Sequence, residues 1–556
     1  MGTATSSTPI TATKLTSIPS VDSLLNGYHW DSNNVTFSYI APGTSVYSKT
    51  YQDLTLFNSI QGFSISQQRA ATAILQTWSN VTNLTFTQVA DGGESAGTIR
   101  FSFSNSYDWV NSAGMTYLPS STPAGGDVWI NPKSNEIING FWNGTLSNSI
   151  FSQGSFGYFT LLHEIGHALG LKHPFDNSTN GGGSSIAGTQ YSGWDTKVYT
   201  AMSYTEVPNM PELLGFTYNP TTPMVLDIAA IQSIYGTNYN YNAGNTDYSF
   251  NDIFGQYYFQ TIWDGGGSNS ITYNGSTSSN IDLRQGHGSK IGNAVYAFTA
   301  TDPQAYWFNN VWIAYGTKIN SFVGIGTANL KIQCNDDSDN ITCNSGTVEV
   351  YCGTGNDSII CGAGNDLIFL SMGNYFVKGN SIGSSTVSFK GNYKDYSLTK
   401  VNGILLAYDN SLGTTSTLDS ITYLKFTDQT LSFNTALSAA TSKESHTLSL
   451  IVDAGILDSN PMILHNLAEI IQYSSNNIIT HTITYGATTF NYNDVDSLIT
   501  TVTRDGNFTT EFQNEIAAVA PSAANITYAD AVALVGTANI DKTLIYIAGA
   551  DGNYVG

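Results

Sequence analysis

Two nine-residue strings stand end to end in this chain, CGTGNDSII at 352–360 and CGAGNDLIF at 361–369. A strict short period forces successive copies into the same backbone path, so this region must stack rather than form a globule with one irregular core. Glycines at the second and fourth places permit a tight turn whose carbonyls converge. Asp at the sixth place supplies a carboxylate, and the apolar eighth residue, Ile359 or Ile368, points inward. Two weaker copies precede these, CNDDSDNIT at 334–342 and CNSGTVEVY at 343–351.

The pattern resembles the RTX nonapeptide of parallel β-rolls, in which two repeats make one turn and calcium lies between stacked turns. That resemblance implies calcium ligands at Asp339, Asp357 and Asp366 and at the turns of Gly353, Gly355, Gly362 and Gly364. Residues eighteen apart then stack. Asp339 and Asp357 meet on one side and form the good site. Asp366 falls over Val348, which cannot bind a cation, so that site is impaired. WDGGGSNSI at 263–271 offers another acidic turn through Asp264. The departure lies at the first place, where the pattern wants Gly and this chain has its four cysteines. Stacking sets Cys334 beside Cys352 and Cys343 beside Cys361. Rungs ~4.8 Å apart fall within the Cα range of a disulfide. The alternatives are two disulfides in an oxidising compartment or a ladder of four thiols.

A second string is chemically more specific: His163-Glu164-Ile165-Gly166-His167-Ala168-Leu169-Gly170-Leu171-Lys172-His173. Residues four apart share a helix face, so His163 and His167 can reach one metal, with Glu164 on its water side. On a continuous helix His173 would lie ~9 Å further along the axis. The chain must therefore turn back, and Gly170 allows the left-handed conformation that does so. Three neutral imidazoles leave zinc an open position, as in a catalytic site.

This string resembles the metzincin zinc peptidases. TAMSY at 200–204 resembles their Met-turn, with Met202 beneath the metal, and Tyr204 resembles the further zinc ligand of the serralysin and astacin branches. The resemblance implies a Glu164 general base and an oxyanion-stabilising Tyr204, acting on protein or peptide substrates. Serralysins also join a peptidase to an RTX roll in this order. Their likeness implies a minimal pro-segment and type I export from a Gram-negative cell to the exterior.

The expected fold follows. Residues 1–24 form a flexible leader. Residues 25–245 form an α+β metzincin-like domain with a mixed sheet and long helices. Residues 246–437 form a parallel β-roll with a β-sandwich. Residues 438–556 form a small mixed α/β domain for secretion or surface attachment. Within the second segment, strands are expected at 35–40, 84–89, 98–103 and 127–131, with helices from a Ser66 cap, over 157–173 and over 223–236. TIRFSF (98–103) is the expected edge strand for an extended peptide. In the last segment, 460–474 and 528–536 read as helices and 543–549 as a strand.

Charge narrows the partners. With 41 acidic against 19 basic residues, net −22, nucleic acid and anionic membranes are poor partners. No apolar run approaches the ~20 residues of a membrane span, and the first residues lack a basic-then-apolar export signal. The Ala/Thr/Asn-rich, Lys-poor end suggests a bacterial surface layer. The competing function is therefore a cell-surface or adhesion protein that retains a peptidase-like domain as scaffold.

Overall fold

The computed structural model describes residues 8–47, 60–92, 95–104, 112–132, 150–177, 193–401 and 403–442, with two short strands beyond. They belong to two compact units, Met1–Ile319 and Asn320–Gly556.

The first unit is built on a mixed sheet. Its strands are β1 (Asn34–Tyr39), β2 (Thr85–Gln88), β3 (Ile99–Ser104), β4 (Gly114–Thr116) and β5 (Asp127–Ile130), in the order β2-β1-β3-β5-β4. All pairings on that path are parallel except β4 with β5. The helices are α1 (Ile65–Val81), α2 (Phe156–Ala168) and α3 (Val225–Tyr235). Along α1 the residues Ala71, Ile74, Leu75, Trp78 and Val81 are buried, a three-and-four spacing that gives one apolar face to the core. Its cap is Ser64, not Ser66. The Ser64 side chain accepts from the Gln67 amide and Gln67 reaches back to the Ser64 amide, a reciprocal capping box.

Two further expectations are corrected here. TIRFSF is not an edge strand, because β3 lies between β1 and β5. Its alternation reads as half-exposed, yet Arg100 and Ser102 are as buried as Phe101. The Arg100 guanidinium is neutralised by Asp91 at 2.9 Å and lies 4.1 Å over the Tyr47 ring. β4 is an edge strand, at the end of the sheet opposite β2. Residues 8–24 are not a loose leader: Ile10–Ala12 pairs antiparallel with Tyr28–Trp30, and Val21 and Leu24 are in the core. Within the first unit Phe216 packs on Phe259 and Phe308, and Tyr199 on Trp312.

The second unit contains a parallel roll. One face is β6 (Ser321–Gly324), β8 (Asn340–Cys343), β10 (Asp357–Ile360) and β12 (Tyr375–Lys378); the other is β7 (Leu330–Gln333), β9 (Val348–Tyr351), β11 (Asn365–Phe369) and β13 (Ser384–Ser388). Ile341 pairs with Ile359 and Val350 with Ile368, the expected eighteen-residue stagger. The inward columns Phe322-Ile341-Ile359-Val377 and Ile332-Val350-Ile368-Val387 are all at most 2% exposed, which is the hydrophobic content of the roll. The roll ends in an antiparallel set, β14 (Tyr396–Val401), β15 (Ile404–Asp409) and β16 (Thr415–Asp419), with β16 parallel to β12. Past residue 442 the described part is a hairpin of Thr482–Tyr485 with Thr488–Asn491. The expected helices at 460–474 and 528–536 and the strand at 543–549 lie outside the described residues.

Candidate metal centre and calcium roll

The α2 helix starts at Ser155, whose hydroxyl accepts from the Tyr158 amide. It stops at Gly170, with φ +106°, where the Leu171 amide returns to the Gly166 carbonyl at 3.0 Å. A side chain at Gly170 would also meet the Tyr28 carbonyl at 2.9 Å. Leu171 then bridges to Leu25, and the Lys172 amide donates to the Leu24 carbonyl. The segment expected as a leader thus guides the return that brings His173 back to the helix.

The result is convergence. His163, His167 and His173 are grouped with one ring nitrogen each within 4.8 Å of the others. The His167 Nε2 to His173 Nε2 distance is 3.1 Å, and His173 Nε2 to His163 Nε2 is 3.2 Å. Every Nδ1 is already engaged: His163 with the Ala201 carbonyl at 2.7 Å, His167 with the Leu171 carbonyl at 2.8 Å, His173 with Asp176 Oδ2 at 3.0 Å. These partners accept, so they assign the proton to Nδ1 and leave Nε2 lone pairs facing one another. Burial, followed by the neighbouring histidines, holds His163 well below the ordinary imidazole range, and burial pushes His167 down to about 3. Three converging Nε2 lone pairs call for a cation between them. Tetrahedral zinc at ~2.0–2.1 Å from each nitrogen sets those nitrogens about 3.3 Å apart, so the residues fit zinc.

Support comes from below. Met202 is fully buried, its sulfur set against Gly166, where any added side chain would collide at 2.6 Å. Asp227, on α3, fixes this turn. It accepts from Thr200 Oγ1 at 2.5 Å, from the Ala201 amide at 2.7 Å and from the Met224 amide at 2.8 Å. The Ala201 carbonyl in turn accepts from His163, so Asp227 orients a ligand through one residue. Sequence reading missed Asp227; an acid within the apolar run VLDIAAI was its only signal. It also missed Asp176 and Phe175, which stacks on His173 at 4.9 Å and 5°.

Glu164 is 5% exposed, and Thr116 Oγ1 donates to its Oε2 at 2.6 Å. Burial pushes its carboxyl up to about 8, against the Thr116 bond, which lowers it. The Tyr204 ring flanks the histidines, 4.5 Å from His173 and 5.7 Å from His163 between centroids, and remains largely exposed.

In the roll, Asp339, Asp357 and Asp366 are each at most 4% exposed. Each keeps one carboxylate oxygen with no hydrogen-bond partner: Oδ1 of Asp339, and Oδ2 of Asp357 and of Asp366. The other oxygens follow the stagger, Asp357 accepting from the Asp339 amide and Asp366 from the Val348 amide. A Cβ on Gly353, Gly355 or Gly364 would lie 1.6–1.9 Å from the carbonyls of Asn335, Asp337 and Gly346, and one on Gly362 would lie 2.7 Å from the Asn344 carbonyl carbon. Close-packed carbonyls with unmatched carboxylate oxygens fit a hard cation such as calcium. Asp264 differs. Both its oxygens are occupied, by the Tyr248 hydroxyl at 2.7 Å and the Gly266 amide at 2.9 Å.

The pairings Gln333–Tyr351 and Thr342–Ile360 set Cys334 beside Cys352 and Cys343 beside Cys361, as expected. All four are nonetheless free buried thiols, not disulfides. The Cys334 and Cys352 thiols hydrogen-bond each other across the rung, and the thiols of Cys334, Cys352 and Cys361 also lie against the carboxylates of their own repeats, Asp339, Asp357 and Asp366.

Comparison with known proteins agrees with this geometry. Residues 50–179 match the Matrixin peptidase family. The chain is 35% identical to a metallopeptidase AprA of Pseudomonas marginalis, over 48% of this chain and 55% of the relative. It is 32% identical to a metalloprotease AprA of Pseudomonas entomophila, over 48% and 52%. It is 29% identical to serralysin B of Dickeya chrysanthemi, over 51% and 58%. The chain thus spans about half the length of the curated relatives it matches.

Proposed function

We propose that this chain, whose matched half belongs with the serralysin-type metzincins, is a secreted zinc endopeptidase. The observation that carries the proposal is the meeting of three imidazole Nε2 atoms at 3.1–3.2 Å beside a buried carboxylate. His163, His167 and His173 would hold the ion. Zinc supplies Lewis acidity, lowering the pKa of water toward ~7 and polarising a carbonyl. Glu164 accepts the water proton and returns it to the leaving amine nitrogen. Tyr204, exposed beside the histidines, donates its phenol proton in a hydrogen bond to the developing oxyanion. Asp176 and the Ala201 and Leu171 carbonyls keep the histidines in the ligating tautomer. The peptide extends along β4, the edge strand beside α2.

Export through a type I channel is part of the same proposal, supported by the calcium-suited roll. Calcium held by Asp339, Asp357 and Asp366 would order that unit outside the cell, where calcium is plentiful. Retention at a bacterial surface layer rests on composition alone. A pure scaffold function is the weaker reading, because no group that the chemistry needs has been lost.

The test is casein cleavage by the wild-type chain and by Glu164→Ala. The variant should bind one zinc per chain, like wild type, and lose at least about 100-fold in kcat/KM. Equal cleavage by both forms refutes the mechanism.

A further inference from the structure

Glu164 sits in a slot formed by the edge strand. On one side Thr116 Oγ1 reaches Oε2 at 2.6 Å. On the other, the Gly114 backbone approaches so closely that an added Cβ would stand 2.6 Å from Oε1 and 2.9 Å from Cδ. The strand is itself held: Thr116 pairs with Val128, Gly114 with Ile130, and Ser112 Oγ donates to the Gly114 carbonyl at 2.8 Å. The Tyr117 amide closes it onto the Asp127 carbonyl at 3.1 Å.

We propose that Thr116 is a positioning residue for Glu164, fixing the plane of its carboxylate and reserving Oε1 for the proton taken from water. The inference rests on the peptidase reading above and deepens it. A carboxylate has two equivalent oxygens and a broad terminal torsion, so in a bare pocket the basic lone pair has no fixed direction. A hydroxyl donor on Oε2 removes that freedom. The role suits threonine, because its proton is donated to Oε2 whether Oε1 is bare or protonated. The same bond therefore persists while the proton passes from water to Oε1 and on to the amine nitrogen. An amine donor would carry charge and hold the carboxylate ionised, which would oppose the uptake. Valine has the same shape without the donor.

The experiment uses the full chain with zinc and calcium, as wild type, Thr116→Val, Thr116→Ser, Thr116→Ala and Glu164→Ala. Thr116→Val should lower kcat on a peptide substrate by about 10- to 150-fold, the range of one lost hydrogen bond to a charged group. KM and bound zinc should stay within about twofold of wild type. Thr116→Ser should recover at least about half of wild-type kcat, and Thr116→Ala should resemble the valine variant. A crystal structure of Thr116→Val should show the Glu164 carboxylate rotated out of its wild-type plane. Wild-type kcat in both the valine and alanine variants would overturn the proposal, as would a serine variant as impaired as valine. If valine disturbs folding, the serine-to-alanine difference decides alone. An active Glu164→Ala chain would instead sink the peptidase reading, so the two failures are distinguishable.

Discussion

Single residues decide whether the histidine string is a metal site or merely a polar helix face, and Asp227 is the least conspicuous of them. Burial pushes its carboxyl up to about 6, against the pull of Thr200 and the Ala201 and Met224 amides. Its Oδ2 meets two N–H donors. Asp227→Asn can keep both N–H donors on its amide oxygen, but its NH2 group then faces Thr200 Oγ1 and the hydroxyl loses its acceptor. A loss of about 1–3 kcal/mol in stability is expected, read as a lowered thermal midpoint of the zinc-loaded chain. Because the Ala201 carbonyl holds His163, zinc should dissociate faster, by about 10- to 100-fold. An unchanged midpoint together with unchanged zinc release would contradict the support assigned to this residue. His163 and His167 were legible in the sequence because helix periodicity brings them to one face, His173 because Gly170 allows the chain to turn back, and Glu164 from the string they share. Asp227, Asp176 and Thr116 were not. Thr116 and Asp227 reach the site from separate segments, and no spacing rule connects residues 116, 164 and 227, while Asp176 follows His173 by three residues, outside the string.

At the scale of elements, the nine-residue period announced the roll and its stagger, while strand order in the peptidase sheet stayed hidden. A strand's alternation reports which faces are polar, not which are exposed, and the buried Arg100–Asp91 pair made β3 look like an edge. The roll carries its own pH dependence. In the metal-free protein burial raises Asp339 to about 8, with the Asp357 charge adding to it, and burial raises Asp357 to about 7. The unfolded chain loses those protons near pH ~3.9. Between about pH 4 and pH 8 the folded roll therefore binds more protons than the unfolded chain. The stability contributed by these groups is full below pH ~4 and is lost as pH rises through the folded values. With a calcium chelator present, the roll should unfold at a lower temperature at pH 8 than at pH 5.5. Calcium reverses the sign, since it favours the ionised carboxylates and competes with protons. Far-ultraviolet circular dichroism in chelator and in calcium at both pH values checks this. A metal-free midpoint that rises from pH 5.5 to pH 8 would refute the assignment of Asp339 and Asp357 as the roll's unmatched pair.

For the whole molecule, the two metals have separable consequences, because the zinc ligands all lie in one unit and the calcium carboxylates in the other. The four cysteines are the only thiols in the chain and all sit in the roll, so they report that unit against a silent background. Burial pushes Cys343 up to about 12 and raises Cys352. The reactive thiolate is thus nearly absent in the folded roll. In calcium, a thiol-specific reagent at pH 7.5 should modify none of the four, and a zinc-selective chelator should abolish peptidase activity without exposing them. A calcium-selective chelator should make the roll open more often and so speed modification of all four. The count at that step also distinguishes the covalent states, since four reactive groups without added reductant means free thiols, and none until reductant is added means that the rungs were clipped in pairs. Thiols that react fully in the presence of calcium would show that the stacked turns do not form the sealed interior that gives Cys334, Cys343, Cys352 and Cys361 their burial.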